Sequence, residues 1–351
     1  MKILTVVGAR PQFMKAAAVS NVIRQKHEEI LVHTGQHYDE NMSKIFFEEL
    51  RIPKPDYNLG VGSGNHGKQT GTMLIKLEEI YEKERPDLVL VYGDTNSTLA
   101  GALCASKLLI PVAHVEAGLR SFNMNMPEEQ NRILTDHISK YLFVPTVTAE
   151  KNLKKEGIEK GVYNVGDVMY DSVIRIGKLA KENSEVLEKL DLNDNEYILT
   201  TVHRAENTND PKRLKNIVEA LNESGKKIVL PLHPRTHKYI QDYGLAFSGN
   251  IKVVEPVGPI DMIALEMHSC KIVTDSGGVQ KEAFFMHKPC ITMRDETEWV
   301  ETVENGWNKL TGTDKNEIIN GINSFNPTNE QEEIFGDGTA AKKILDILDR
   351  Y

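Results

Sequence analysis

The chain reads as an α/β protein of two domains, each a parallel sheet covered by helices. Short β-branched runs alternate with amphipathic stretches from end to end, as they do where crossover helices join parallel strands. The alternation runs twice, and 351 residues suffice for two cores. In the first half, strands are expected at 3–7, 30–33, 88–92, 112–115 and 141–144. In the second they are expected at 197–202, 227–230, 251–254, 271–274 and 289–293. Nearly every run in the first half ends in a polar cluster. Val165-Gly166-Asp167-Val168, a helical stretch and the charged segment 181–196 lie between the halves, giving domains of 1–167 and 168–351. The last helix, near 338–350, is assignable to either. Open α/β sheets bind ligands outside the carboxyl ends of their strands, so two domains facing across a cleft would present those polar clusters to it.

Composition narrows the function classes. A net charge of −9 with both signs interspersed argues against a nucleic acid held on a broad basic surface. No apolar run approaches membrane-spanning length, and the chain enters its first strand without a cationic, apolar and cleavage-site leader, so a cytoplasmic protein without a membrane partner is expected. Cys104, Cys270 and Cys290 are widely spaced and sit in apolar runs, reading as reduced core residues.

The most informative segment is Thr274-Asp275-Ser276-Gly277-Gly278-Val279-Gln280-Lys281-Glu282-Ala283, which follows an apolar run and opens a helix. A strand, a small-residue turn and a helix N-terminus offer backbone N–H groups to a phosphate. Ser276 adds a hydroxyl, and Glu282 can accept from ribose hydroxyls. The same residues also suit an N-capped helix packed closely on a sheet. After the first strand, Gly8-Ala9-Arg10-Pro11-Gln12-Phe13-Met14-Lys15 is neither a Walker loop nor a dinucleotide fingerprint. Arg10 and Lys15 fit counter-charges for a diphosphate, or a solvated helix face.

Three carboxylates fall at strand ends or helix starts. Asp94 lies in Gly93-Asp94-Thr95-Asn96, where it could also cap the next helix. Glu128 follows Pro127 and could be a first-turn acid paired with Arg132 at i+4. Glu116 ends an apolar strand, where an acid has no capping task unless it touches a ligand or Arg120. His203 and His233 each follow a strand in the second half. His233 and His237 have zinc-like spacing, but Pro234 lies between them and no third ligand is near, so no metal is expected.

Together these segments resemble the non-hydrolysing UDP-N-acetylglucosamine 2-epimerases. The resemblance runs through Gly8-Ala9-Arg10-Pro11, Thr34-Gly35-Gln36-His37, Gly93-Asp94-Thr95, His114 to Arg120, Pro127 to Arg132, His203-Arg204 and Thr274 to Glu282. It implies a GT-B-like fold of two Rossmann-like domains, a homodimer, a UDP-sugar substrate and no cofactor. It also implies C2 epimerisation by elimination of UDP and re-addition through a 2-acetamidoglycal. Asp94, Glu116 and Glu128 match the family's acid/base set, and Arg132 and His203 match further active-site residues. Arg10, Lys15, Ser276, Gly277, Gly278 and Glu282 match the UDP-binding region. Two departures resemble the subgroup acting on UDP-2,3-diacetamido-2,3-dideoxyglucuronate. Gln12 stands where many UDP-N-acetylglucosamine enzymes have Glu, and Trp299 stands where they have a nucleotide-contacting Arg. Loss of an acid at position 12 would suit a uronate, although Gln12 could also simply pack beside its loop, and Trp299 could replace the cation by stacking.

Overall fold

The structure, a computed structural model, describes residues 1–36, 49 and 52–350, with Arg10 and Pro11 described by their backbone alone. The Arg10 side chain and His37 thus lie outside the described residues. The chain forms two compact units, Met1–Arg175 with Glu333–Tyr351, and Ile176–Glu332.

In the first unit the strands are β1 (Lys2–Val7), β2 (Glu28–His33), β3 (Tyr57–Asn58), β4 (Leu88–Tyr92), β5 (Val112–Val115), β6 (Tyr141–Val144) and β7 (Val162–Asn164). They make one parallel sheet in the order β3-β2-β1-β4-β5-β6-β7. Strand order reverses between β1 and β4, where Ile3 lies beside Leu88 and Val6 beside Val91. β4 is buried along its whole length, as a central parallel strand covered on both faces must be. Leu4, Val6, Val32, Val89 and Val91 pack with Met73 and Leu77 of helix His66–Glu84 to form the core.

The second unit repeats this plan with β8 (Ile198–Thr201), β9 (Ile228–Pro231), β10 (Ile251–Val254), β11 (Lys271–Thr274), β12 (Cys290–Thr292) and β13 (Asn308–Leu310). Its order is β10-β9-β8-β11-β12-β13, again parallel and reversing beside its first strand. Ile198, Leu230, Val273 and Ile291 from four strands meet Leu214 and Ile217 of helix Pro211–Glu223.

All ten expected strands form, with ends displaced by no more than two residues. Among the described residues, three further strands, β3, β7 and β13, are sheet edges of two or three residues with partly exposed side chains. Such strands carry no apolar run to read. Cys104 and Cys290 are buried, and burial pushes both thiols up to about 12. Cys270 is exposed just before β11, so the reading of three core cysteines holds for two.

The last helix, Ala340–Leu348, belongs to the first unit. Its first turn is held by Asp171, whose carboxylate accepts from the N–H groups of Ala340 and Ala341 at 3.1 and 2.9 Å. The returning chain is pinned at Phe335, whose carbonyl accepts from Asp167 N–H at 2.9 Å. Gly166 has φ +87°, and a Cβ there would come within 2.8 Å of the same carbonyl. A side chain is therefore excluded by both conformation and space. Gly166→Ala should destabilise the first unit by about 1–3 kcal/mol. It should also speed amide exchange across Ala340–Leu348, read by hydrogen-exchange mass spectrometry.

Candidate active site

Catalytic groups on a parallel sheet are expected at strand carboxyl ends, and the first unit concentrates its polar residues there. Gln12 organises the loops after β1 and β4. Its Oε1 accepts from Gly8 and Ala9 N–H at 2.7 and 3.0 Å. Its Nε2 donates to the Tyr92 carbonyl at 2.7 Å and lies 3.1 and 3.0 Å from the Thr95 and Thr98 hydroxyls. The side chain is buried and fully occupied. Gln12 is thus a bracket between two loops, and the idea that it relieves repulsion of a uronate finds no support in its contacts. A Glu at this position could not donate to a carbonyl without holding a proton.

Asp94 follows β4 but does not cap the next helix, Asn96–Lys107. Thr95 does, its hydroxyl accepting from Thr98 N–H at 3.4 Å. Asp94 is freed to accept from Arg132 Nη2 at 2.6 Å. The other guanidinium arm, Nη1, donates to Glu129 at 2.8 Å. The i+4 pairing of Glu128 with Arg132 does not form. Glu128 is half-buried, and among the described residues no partner reaches its carboxylate. Glu129, one residue on, points inward and also accepts from Ser121 and Phe122 N–H, each at 2.9 Å. Burial works to raise the Glu129 carboxyl, but these donors and Arg132 outweigh it, and the net shift is downward. Burial pushes Asp94 the other way, above the usual carboxylate range, with Glu116 adding to the rise and Arg132 and Lys15 opposing it. The Asp94 side chain retains 31% of its surface accessible.

Glu116 pairs with Lys15, not Arg120. Its backbone is left-handed, φ +71°, which is strained for a residue with a Cβ. Glu116 and Ala117 N–H both donate to the Phe143 carbonyl, holding this turn against β6. Gly93 makes space for the ion pair, since a Cβ there would lie 3.3 Å from the Glu116 carboxylate and 3.5 Å from Lys15 Nζ. Beneath the turn, His114 is fully buried, with Nε2 2.7 Å from the Gly93 carbonyl and Nδ1 2.7 Å from Asp136. Because a carbonyl only accepts, Nε2 carries a proton. Asp136 also accepts from Gly118 N–H and from Arg120 Nη1, which donates to the Leu119 carbonyl as well, while Arg120 Nε and Nη2 reach Glu156.

In the second unit, Asp275 ties the loops after β8 and β11 together. It is fully buried and accepts from His203 and Arg204 N–H at 3.0–3.1 Å and from Asn207 Nδ2 at 3.2 Å. His203 keeps 46% of its side chain exposed, with Nδ1 3.9 Å from Asp275. His233 instead caps helix Pro234–Asp242, its Nδ1 accepting from Arg235 N–H at 3.2 Å. Ser276 caps helix Gly277–Phe285. Gly277 admits Glu298, whose Oε1 lies 2.3 Å from the place of a Cβ, while Gly278 has open surroundings. The strand, small-residue turn and capped helix read from the sequence thus form locally as β11, Asp275-Ser276 and Gly277–Phe285. Lys281 Nζ lies 3.9 Å above the buried Trp299 ring, a cation–π contact. Glu282 is buried in the second turn of the helix. Among the described residues, no cluster of His, Cys, Asp or Glu could hold a metal, and no helix is long and apolar enough to cross a membrane.

A family model described as UDP-N-acetylglucosamine 2-epimerase matches residues 21–349. The chain belongs to that family. Its relatives are named as epimerases, which makes it an isomerase. It is 58% identical to a UDP-N-acetylglucosamine 2-epimerase homolog of Methanococcus maripaludis, and 53% identical to the UDP-2,3-diacetamido-2,3-dideoxy-D-glucuronate 2-epimerase of Pseudomonas aeruginosa. Each match covers 99% of both chains. The crystal structure of Methanocaldococcus jannaschii UDP-GlcNAc 2-epimerase, in complex with UDP-GlcNAc and UDP, aligns over 100% of both chains with a TM-score of 0.91 at 46% identity. The two Rossmann-like units are those of a GT-B-like fold.

Sequence reasoning missed Glu129, Asp136 and Asp275, which hold Arg132, the turn from His114 to Arg120 and the loop after β8. Glu129 was the hardest to see, because Glu128 beside it fits the same helix start. In the folded chain Glu129 and Asp136 have carboxyl pKa values below their ordinary ones. The stability they contribute is present above the unfolded value of about 4 and is lost as pH falls through the lower folded values. Glu129→Gln should lower unfolding stability at neutral pH by about 1–3 kcal/mol. It should also make the decline between about pH 5 and pH 3 shallower, as urea titrations at several pH values would reveal.

Proposed function

We propose that the protein epimerises C2 of a UDP-2-acetamido sugar without net hydrolysis, by elimination of UDP and its return, and that it serves surface-polysaccharide or glycan-precursor synthesis. The observation that carries this reading is the grouping of Asp94, Arg132, Lys15 and Glu116 at adjoining strand ends, with an upward-shifted acid beside fixed cations.

The proton at C2 of an acetamido sugar has no adjacent carbonyl to stabilise its removal as a carbanion. Departure of UDP supplies the missing electron demand. The C1–O bond breaks, its electron pair leaves with UDP, a base takes the C2 proton, and the C1–C2 double bond of a 2-acetamidoglycal forms. Return reverses each change, with the proton delivered to the opposite face. Both faces of C2 therefore need an acid/base group. Asp94, Glu116 and Glu128 are the set assigned here, and His203 is a further active-site residue. Arg132 fixes Asp94 and supplies positive charge beside it. The turn Ser276-Gly277-Gly278 is assigned to the diphosphate, with Arg10 and Lys15 as counter-charges. Glu282 is assigned to the ribose hydroxyls.

For the sugar, we favour UDP-2,3-diacetamido-2,3-dideoxyglucuronate. This choice is supported by the 53% identity to an enzyme named for that substrate and by Trp299, which stands where many UDP-N-acetylglucosamine enzymes have Arg. UDP-N-acetylglucosamine is the second reading, supported by 47% identity to a Methanocaldococcus jannaschii UDP-N-acetylglucosamine 2-epimerase.

In deuterium oxide, NMR should show C2 deuteration accompanying epimer formation with the uronate, and little of either with UDP-N-acetylglucosamine. The opposite preference would reverse the substrate assignment. Stoichiometric release of UDP with free sugar would instead identify a hydrolase, and sugar transfer to an added acceptor a glycosyltransferase. Asp94→Asn should bind UDP in calorimetry nearly as the parent does, while turnover falls about 10²–10⁴-fold. Equal turnover would remove Asp94 from the mechanism.

A further inference from the structure

Glu266 lies on helix Pro259–His268 of the second unit, and its side chain is completely buried. Among the described residues, no N–H or O–H donor reaches either of its carboxyl oxygens. Its immediate polar neighbour is another acid, Glu282 of helix Gly277–Phe285, itself buried and within hydrogen-bonding reach. Two desolvated carboxylates cannot sit side by side with both ionised, because each would lack a donor and repel the other. One proton between them removes both problems, since a carboxylic acid can donate to a carboxylate in a short, charge-assisted bond.

The surroundings decide which oxygen keeps that proton. Glu282 has the Lys281 charge near it, whereas among the described residues the only charge that shifts Glu266 is that of Glu282. Tyr197, which also faces Glu266, spends its hydroxyl on the Leu265 carbonyl at 2.7 Å. The Cys290 thiol nearby is kept neutral by burial, with its sulfur 3.7 Å from the Thr292 hydroxyl. Burial first, and the Glu282 charge second, push the Glu266 carboxyl well above the carboxylate range. Burial also raises Glu282, while the bond to Glu266 and the Lys281 charge act to lower it.

We propose that Glu266 is a positioning residue: a neutral acid that donates its proton to Glu282 and locks the carboxylate on which the ribose hydroxyls of a nucleoside diphosphate are received. The role in nucleotide binding rests on the assignment of Glu282 to ribose made above; the shared proton does not. With one oxygen engaged by Glu266, Glu282 stays anionic, keeps a fixed rotamer and has its other oxygen available as an acceptor. Glu266 itself touches no ligand and acts only through Glu282.

The test uses the full chain and needs no sugar substrate. Infrared spectra of protein carrying carbon-13-labelled glutamate should show a protonated carboxyl at neutral pH, and Glu266→Gln should abolish that band. Calorimetry with UDP should then give Glu266→Gln an affinity within about threefold of the parent, because its amide still donates to Glu282. Glu266→Leu, which removes the donor, should bind about tenfold more weakly or worse. If Glu266→Leu fails to fold, Glu266→Ala, which also removes the donor, takes its place with the same expected weakening and the same overturning result. A parent spectrum without the band overturns the proposal whatever the protein binds. Equal UDP affinity of Glu266→Leu and the parent overturns the orienting role. A parent that shows the band but does not bind UDP overturns the nucleotide reading, and the orienting role with it.

Discussion

The guanidinium of Arg132 is shared by carboxylates from two separate segments, and the charge arrangement of the first unit depends on it. One arm holds Asp94 from the loop after β4, and the other holds Glu129 from its own helix. Glu129 in turn fixes the backbone at Ser121 and Phe122, and Asn131 beside Arg132 donates to the Asp94 carbonyl. A buried ion pair is a weak source of net stability, but removing one member strands the others in a poorly solvated place. Its value here is positional, because a lysine could not serve two carboxylates through a planar fork. Asp94 is available to Arg132 because Thr95 caps the following helix.

The same constraint is met twice by different side chains. Each sheet reverses strand order beside its first strand, leaving two loops to be held apart at a fixed spacing. In the first unit the neutral amide of Gln12 spans them, donating to one side and accepting from the other. In the second, the carboxylate of Asp275 receives N–H groups from the loop after β8 while belonging to the loop after β11. Each bracket is buried and holds a segment assigned to chemistry or nucleotide binding. Position 12 is thus a structural bracket between the loops after β1 and β4.

Much of this architecture was legible because parallel strands buried on both faces are written as continuous apolar runs. β4 and β11 could be read nearly to the residue for that reason. Strands β3, β7 and β13 could not, since edge strands of two or three residues leave no periodicity. Asp94, Glu116, Lys15 and Ser276 were visible as polar residues following strands, where a sheet has no structural need of them. Partnership was less legible than position. Whether Glu128 or Glu129 turns toward Arg132 depends on how helix Pro127–Ile138 is rotated against the sheet, which is a tertiary matter. Likewise, Glu116 and Lys15 are 101 residues apart, and only the adjacency of β1, β4 and β5 brings them together. Cys270 shows the reverse error, an apolar context at a strand end that is in fact exposed.

The proposed departure and return of UDP would make the cations as necessary as the acids, since the leaving diphosphate must be retained while C1 and C2 lack their substituents. Lys15 next to Glu116, and Arg132 next to Asp94, join the two requirements in one group of side chains. The most direct measurement follows the oxygen between C1 and the diphosphate. Substrate labelled there with oxygen-18 and recovered after partial turnover should have label distributed into the non-bridging positions of the β-phosphate, visible by phosphorus NMR. Epimerisation at C2 with all label still in the bridge, and with neither free UDP nor 2-acetamidoglycal formed on prolonged incubation, would contradict the account.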